Sequence, residues 1–399
     1  MSALQPATPP AAASGWSERW ARQVDRWMTS PALGRWAGRS VFTRWLVRRR
    51  SRELFDLMAG FVHSQVLLGC VRLQLFERLA QRPHTLEEIA ARARVPAPHL
   101  QRLLDSAVAL RLLEPRGERR YGLGPLGAPL AVHAGIRDMV EHNATLYRDL
   151  HDPLALLRDP DGAQMHAWWP YTDHQDGSAQ PAAPSDQFAR YSALMASSQR
   201  FVIDEMLDSH DFSRHRQVLD VGGGLGGWVC ALARRYPHLS LMHLDLPPVS
   251  ALAAQRIASD GLSARIACHP GSFLHDPLPR GADLVTLVRV AHDHPDAAVR
   301  RLLRAIHDAL PVGGELLLAE PMAEVDGQPA TPDPYFHFYL LAMGSGRLRT
   351  PAELMQLMTE AGFEGVRRLS GHQPVHATLL SGQKTRCLPL EPGTSVNKE

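Results

Sequence analysis

Val218-Leu219-Asp220-Val221-Gly222-Gly223-Gly224-Leu225-Gly226-Gly227 is the stretch that decides the fold. Apolar Val218, Leu219 and Val221 suit a central parallel strand, buried on both faces. The glycines that follow let the backbone take positive φ and approach a ligand with no Cβ in the way. A helix, Trp228–Tyr236, starts where the glycines end. About twenty residues on, Asp245 closes a second strand, Leu239–Leu244, where a Rossmann-like unit keeps the carboxylate that grips a ribose diol.

Several adenosine cofactors use such a turn, and three details favour S-adenosylmethionine. The turn runs Asp-Val-Gly-Gly-Gly-x-Gly rather than Gly-x-Gly-x-x-Gly. Asp220 lies inside it, where a carboxylate repels a pyrophosphate but attracts a sulfonium or an amino group. The acidic strand end continues as Asp245-Leu246-Pro247-Pro248-Val249. The plainer alternative is a structural glycine loop in an α/β domain.

Downstream the alternation of elements continues. Helix Val249–Gly261 leads to strand Ala264–His269 and the segment Pro270-Gly271-Ser272-Phe273. Strand Asp283–Val288, helix Asp296–Leu310, strand Glu315–Ala319 and helix Pro351–Gly362 follow. Two strands, Gly365–Leu369 and His376–Leu380, come last. This pattern predicts a mostly parallel, doubly wound sheet with its ligand at the carboxyl ends of the strands. At that edge Arg289-Val290-Ala291-His292-Asp293-His294 follows one strand and Glu320-Pro321 the next. His292 suits a general base, because imidazole titrates near neutrality. His294 is an equal rival by position alone. Glu320 suits the carboxylate that orients the base.

Upstream, residues 53–82 carry helical spacing in two segments. Thr85 and Glu88 form a capping box before Leu86–Ala93. A second helix, His99–Leu110, and a hairpin from Leu112–Glu114 and Arg120–Leu123 complete a winged helix. Its second helix holds one arginine, Arg102, and one aspartate, Asp105, too few basic and amide groups for a groove reader. Packing or dimerisation fits better, and no nucleic acid is expected. Residues 130–158 read as helical, with histidines at spacings that suit no metal site. Met165–Pro184 reads as a loop with an aromatic start, and Phe188–Phe212 as a helix leading into the first strand.

Residues 15–52 hold five of the eight tryptophans and ten arginines, against Glu18 and Asp25. Such a mixture suits either an anionic membrane surface or a helix packing its indoles on the body of the protein. Met1–Ser14 is Ala/Pro-rich and reads as disordered, with no signal peptide. The run Leu54–Val71 contains Asp56, His63, Ser64 and Gln65, which argue against a membrane span. A chain of 399 residues with 45% hydrophobic residues has room for two cores, and a net charge of +2 does not suit a dedicated nucleic-acid binder. The four cysteines are scattered, with neither metal-ligand nor disulfide spacing, so a reducing cytoplasm fits and no metal is expected.

Leu219-Asp220-Val221-Gly222-Gly223-Gly224-Leu225-Gly226, Asp245-Leu246-Pro247, Gly271-Ser272-Phe273, His292-Asp293 and Pro311-Val312-Gly313-Gly314-Glu315 together resemble the S-adenosylmethionine-dependent O-methyltransferases of the caffeate/acetylserotonin type. The resemblance covers about residues 53–382. It implies a Rossmann-like class I methyltransferase domain preceded by an all-α winged-helix dimerisation domain, and a homodimer. It implies catalytic roles for His292, Asp293 and Glu320. It implies cofactor contacts from Asp220, Gly222, Gly224, Asp245, Leu246, Ser272, Phe273 and Arg289, with Phe273 over the adenine. Three positions depart from the family: Ser272 and His294 stand where it has aspartate and tryptophan, and Leu348 where it has a second glutamate.

The Trp/Arg extension, Phe61–Leu67 and Ala342–Arg347 are further similar to the hydroxyneurosporene/demethylspheroidene group of purple bacteria. That similarity implies methylation of a tertiary carotenoid hydroxyl by a cytoplasmic enzyme, peripheral on the inner membrane. Other O-methyltransferases, of polyketides, phenolics or bacteriochlorophyll precursors, would share every cofactor motif. A winged-helix regulator that senses a ligand is the alternative from another class. The expected division is an extension over 1–52, a helical dimerisation and substrate-lining domain over 53–187, a catalytic domain over 188–382 and a tail over 383–399.

Overall fold

The computed structural model describes residues 15–30, 32, 35, 36, 39–117, 119–168, 192, 194–196, 199–324, 333–371 and 377–385. The expectations for Met1–Ser14, for most of the loop 165–184, for the start of the helix at 188 and for the tail lie outside these residues. Contacts divide the chain into two compact units: Met1–Leu75 with Arg82–Leu126, and Phe76–Gln81 with Gly127–Glu399.

In the first unit, helix Gly15–Met28 is followed by a 29-residue helix, Arg44–Arg72. The latter runs unbroken through residue 52, because Arg50-Ser51-Arg52-Glu53-Leu54 holds neither glycine nor proline to end it. It ends before Gln74, whose left-handed backbone starts the short helix Leu75–Gln81. By length and composition Arg44–Arg72 is apolar enough to cross a membrane, despite the polar residues that argue against it in the sequence. Its buried residues, such as Val66, Leu68 and Val71, fall in its second half. Around its middle Leu54, Leu57, Met58, Phe61 and Val62 form an exposed stripe at helical spacing.

The winged helix is present. Strand β1 (His84–Thr85) pairs with β3 (Arg120–Leu123), and β3 pairs with β2 (Leu113–Pro115), all antiparallel. The Thr85–Glu88 capping box closes in both directions. Helix Ala97–Ala109 buries Leu100, Leu104 and Ala107, and its Gln101 amide donates to the Tyr121 hydroxyl at 2.7 Å. The side chain that best suits base reading is thus tied down inside the wing.

The second unit is built on seven strands in the order β6-β5-β4-β7-β8-β10-β9. They are β4 Gln217–Val221, β5 Ser240–Asp245, β6 Ile266–Pro270, β7 Leu284–Val288, β8 Glu315–Glu320, β9 Glu364–Arg368 and β10 Thr378–Gln383. The first five are parallel, and β10 runs antiparallel to β8 and β9. Helices cover both faces, so β7 and β8 are buried along their whole length. Leu219, Val221, Leu316 and Leu318 feed one core, and Val218, Trp228, Leu317 and Ala319 the other. Register pairs Val221 with Leu244 and Leu287, and Val288 with Ala319. Gly222, Asp245, Arg289 and Glu320 therefore stand at one edge of the sheet.

Helix Asp333–Met343 has no counterpart in the sequence reading. Its run Tyr335-Phe336-His337-Phe338-Tyr339-Leu340-Leu341 is apolar on nearly every side, so no period of 3.6 shows.

Candidate active site

The glycine turn is a cradle that side chains would fill. A Cβ at Gly223 would stand 2.5 Å from an Asp220 carboxyl oxygen and 2.6 Å from the His243 ring. One at Gly222 would meet Val290 at 2.8 Å. Gly222 and Gly224 have φ of +69° and +56°, which favours glycine. At Gly224 the missing side chain would face open space. Asp245 stands beside that opening: Oδ2 accepts from Gly224 N at 2.8 Å and Oδ1 from Leu246 N at 2.7 Å. Each oxygen keeps a lone pair for a diol. Burial pushes this carboxyl up to about 6. These residues fit an adenosine cofactor.

Asp220 is placed differently from the sequence expectation. It is fully buried beneath the turn, so it offers no face to a sulfonium. Thr286 Oγ1 donates to its Oδ1 at 2.8 Å and accepts from Trp228 Nε1 at 3.1 Å. His243 Nε2 donates to the Gly224 carbonyl at 2.9 Å. Asp220, His243 and Thr286 pair in register across β5, β4 and β7, a row of buried polar groups under the glycines. Burial, with the Asp245 charge nearby, pushes Asp220 up to about 7. The row shows in the sequence as a polar residue flanked by apolar ones inside each of three strands.

At the end of β7 the chain turns through Ala291–Asp293, and Glu320 holds that turn. Its Oε1 accepts from Val290 N and Ala291 N, each at 2.7 Å. Its Oε2 accepts from His292 N at 3.3 Å and faces His292 Nδ1 at 2.6 Å. The other ring nitrogen, Nε2, lies 3.1 Å from Asp293 Oδ1. Burial alone would lower the His292 pKa, but the Asp293 and Glu320 carboxylates outweigh it and hold the imidazolium above its ordinary value. Burial pushes Asp293 up to about 6. His294 stands edge-on to Phe273, 5.3 Å between ring centres, and burial pushes it down to about 4. Of the two histidines, it is His292 whose ring nitrogen faces Glu320 Oε2.

The carbonyl side of the same turn is braced by residues 345–349. Arg349 is 1% exposed and donates to Ala291 O and His294 O, each at 2.7 Å. Ser345 Oγ donates to Asp293 O at 2.7 Å, and Arg347 N to His292 O at 2.9 Å. All four carbonyls from 291 to 294 and the amides of 290, 291 and 292 are thus engaged. Gly346 packs against the His292 carbonyl so closely that a Cβ would overlap it. Leu348, at the position of the absent second glutamate, is buried in an apolar cluster.

That cluster contains Leu146, Met165, Tyr339, Leu340, Met343 and Leu348, with Met195, Tyr335 and Phe336 packed against it. Phe336 stands edge-on to His292 at 6.3 Å, and Tyr335 stacks on Tyr339 at 5.5 Å. The polar ends of the tyrosines are used up: Tyr339 OH lies 3.1 Å from His142 Nε2, and Tyr335 OH donates to Asn143 at 3.0 Å. None of these aromatic residues was singled out from the sequence. Arg289, left-handed at φ +57°, points a guanidinium nitrogen at Met195 Sδ, 3.7 Å away. Ser272 caps locally: its backbone N donates to Asp276 at 2.7 Å, and its Oγ accepts from Leu274 N at 3.3 Å. Its hydroxyl gives no sign of the aspartate's role.

Comparisons with known proteins agree with this geometry. Residues 177–364 match the O-methyltransferase domain and residues 55–133 the O-methyltransferase dimerisation domain. The chain is 38% identical to the demethylspheroidene O-methyltransferase of Cereibacter sphaeroides, over 88% of this chain and 92% of that protein. It is 39% identical to the enzyme of the same name from Rhodobacter capsulatus, over 85% and 84% respectively. The structure of human N-acetylserotonin methyltransferase in complex with SAM superposes with a TM-score of 0.70 at 25% identity, over 84% of this chain and 98% of that one. With these matches over most of its length, the chain belongs to the S-adenosylmethionine-dependent O-methyltransferases.

Proposed function

We propose that the chain methylates the tertiary 1-hydroxyl of an acyclic carotenoid of the hydroxyneurosporene/demethylspheroidene type. The observation that carries this reading is the apolar and aromatic lining beside His292, supplied by helix Asp333–Met343, in a chain 38% identical to demethylspheroidene O-methyltransferase. With the tyrosine hydroxyls already paired, that lining suits a polyene rather than a polyhydroxylated phenol. Acceptor assays with methyl-labelled S-adenosylmethionine test it. Label is expected in the hydroxycarotenoid and not in matched phenolic or chlorin acceptors, and the opposite pattern contradicts the proposal.

The bound cofactor supplies an electrophilic sulfonium methyl. In the proposed division of labour, Gly222 and Gly224 would admit it, Asp245 would hold the ribose, Leu246, Ser272 and Phe273 would border the adenine, and Arg289 would serve its polar end. Asp220 shapes the cradle from beneath. His292 Nε2 receives the hydroxyl proton, Glu320 orients the ring, and Asp293 steadies the imidazolium. A tertiary alcohol is far less acidic than imidazolium, so the proton leaves during or after methyl transfer rather than before it.

The raised His292 pKa sets the sign of the pH dependence. The base works only when deprotonated, so kcat/KM is expected to fall as pH drops through a midpoint above the ordinary 6.5. Asp293→Asn removes a negative charge that favours imidazolium, so its midpoint is expected at lower pH. A midpoint that does not move would detach Asp293 from the base.

We further propose a homodimer in which a second copy covers the apolar stripe at Leu54–Val62, where the dimerisation match begins. The tryptophans before it, Trp20, Trp27, Trp36 and Trp45, are 52–66% exposed and interleave with arginine, which suits an anionic bilayer surface of a cytoplasmic, peripheral enzyme. Sedimentation with anionic vesicles is expected, weakening as salt rises; no binding at low salt contradicts this contact. The boundaries 1–52, 53–187, 188–382 and 383–399 remain the functional division we propose.

A further inference from the structure

The sheet has a second cluster of ligating side chains at the edge away from the glycine turn. His210 follows helix Arg200–Ser209, His215 stands just before β4, and Glu315 opens β8. All three are more than nine-tenths buried. A ring nitrogen of each histidine and a carboxylate oxygen of Glu315 lie within 4.8 Å of one another. The Nε2 of His210 is enclosed and has no hydrogen-bond partner among the described residues. A buried imidazole nitrogen without a partner is costly unless something occupies it.

We propose that His210, His215 and Glu315 bind a divalent cation of the zinc class, which ties the entry of the catalytic sheet together and takes no part in methyl transfer. Two imidazoles and one carboxylate form a borderline-soft donor set that suits zinc better than magnesium or calcium. The surroundings supply what a metal-bound histidine needs. His215 Nε2 faces Glu315 Oε2 at 3.7 Å, while its Nδ1 faces Asp283 Oδ1 at 3.6 Å on the other side. A carboxylate behind a ligating imidazole orients the ring and raises its basicity. Asp283 is itself fixed by Arg216 N and Gln217 N. Phe212 packs edge-on against His210 at 4.7 Å and limits its ring.

Arg214 is the competitor. Its Nη2 pairs with Glu315 Oε2 at 2.5 Å and its Nε donates to His215 Nε2 at 3.5 Å, yet its side chain is 53% exposed and can swing into solvent. Metal binding exchanges this guanidinium for the cation as the partner of Glu315. The site lies at the amino ends of β4 and β8, opposite the edge that bears His292 and Glu320, so its loading should change stability and leave kcat alone.

The test uses the full chain after chelation and dialysis, titrated with zinc by calorimetry and with Co²⁺ by visible absorption. One equivalent is expected, with tetrahedral Co²⁺ bands, a raised Tm and unchanged kcat. His210→Gln and His215→Gln are expected to weaken binding by more than the roughly 10–100-fold that a lost outer-sphere partner such as Asp283 costs. Arg214→Met keeps all ligands and frees Glu315, so it is expected to bind more tightly; this arm stands even if the histidine variants fail to fold. Absence of stoichiometric binding, an unchanged affinity in folded His210→Gln or His215→Gln, or weaker binding by Arg214→Met would each overturn the proposal.

Discussion

His292→Ala is expected to lower kcat by about 10²–10⁴-fold, the usual contribution of a positioned general base. The loss should appear in turnover and not in cofactor affinity, because the ring faces Phe336 and Asp293 while the cradle is built by other residues. The fold should hold, since Glu320 keeps its bonds from Val290 N and Ala291 N when the imidazole is gone. Single-turnover kinetics at saturating cofactor provide the measurement. Near-normal turnover would remove His292 from the chemistry and return attention to His294.

Glu320→Gln should be nearly as damaging, for a different reason. An amide oxygen can still accept from the amides of 290 and 291, so the turn should stay folded. Its NH₂ group, however, would then face His292 Nδ1, where the carboxylate now stands at 2.6 Å. A donor there forces Nδ1 to accept, which places the ring proton on Nε2 and removes the lone pair the substrate needs. Loss of the correct tautomer in a comparable acid–base pair costs about 10⁴-fold in kcat, but here the loss is bounded by that of the base itself, so a drop of roughly 10²–10⁴-fold is expected. Glu320→Ala would also strand two or three buried amides, each costing about 1–3 kcal/mol, so it should unfold at a lower temperature than Glu320→Gln. Equal Tm and equal activity in the two variants would show that the carboxylate braces the turn without acting on the ring.

The sequence made legible whatever is local. The β4 turn, the acidic end of β5 and the Thr85 capping box each lie within about a dozen residues and obey short-range rules. Tertiary features were not legible in that way. Two histidines two residues apart at the end of one strand look equivalent until the register of β7 against β8 puts Glu320 beside one of them. Asp220 reads as a ligand when only the loop is considered; the strand pairing beneath it, Asp220 with Thr286 and His243, turns it inward. Arg349 was not singled out, because its partners, Ala291 and His294, lie more than fifty residues away in the chain. Helix Asp333–Met343 escaped for a compositional reason, since a segment that is apolar all round carries no period to detect.

The most direct measurement is a calorimetric titration of S-adenosylhomocysteine into the wild-type chain and into His292→Ala. The account predicts one site per chain in both proteins, with affinities that agree closely, because the cradle at Gly222–Gly224 with Asp245 binds and His292 reacts. Well-folded wild-type protein that takes up no S-adenosylhomocysteine, or a His292→Ala variant that loses it, would contradict that division of the site.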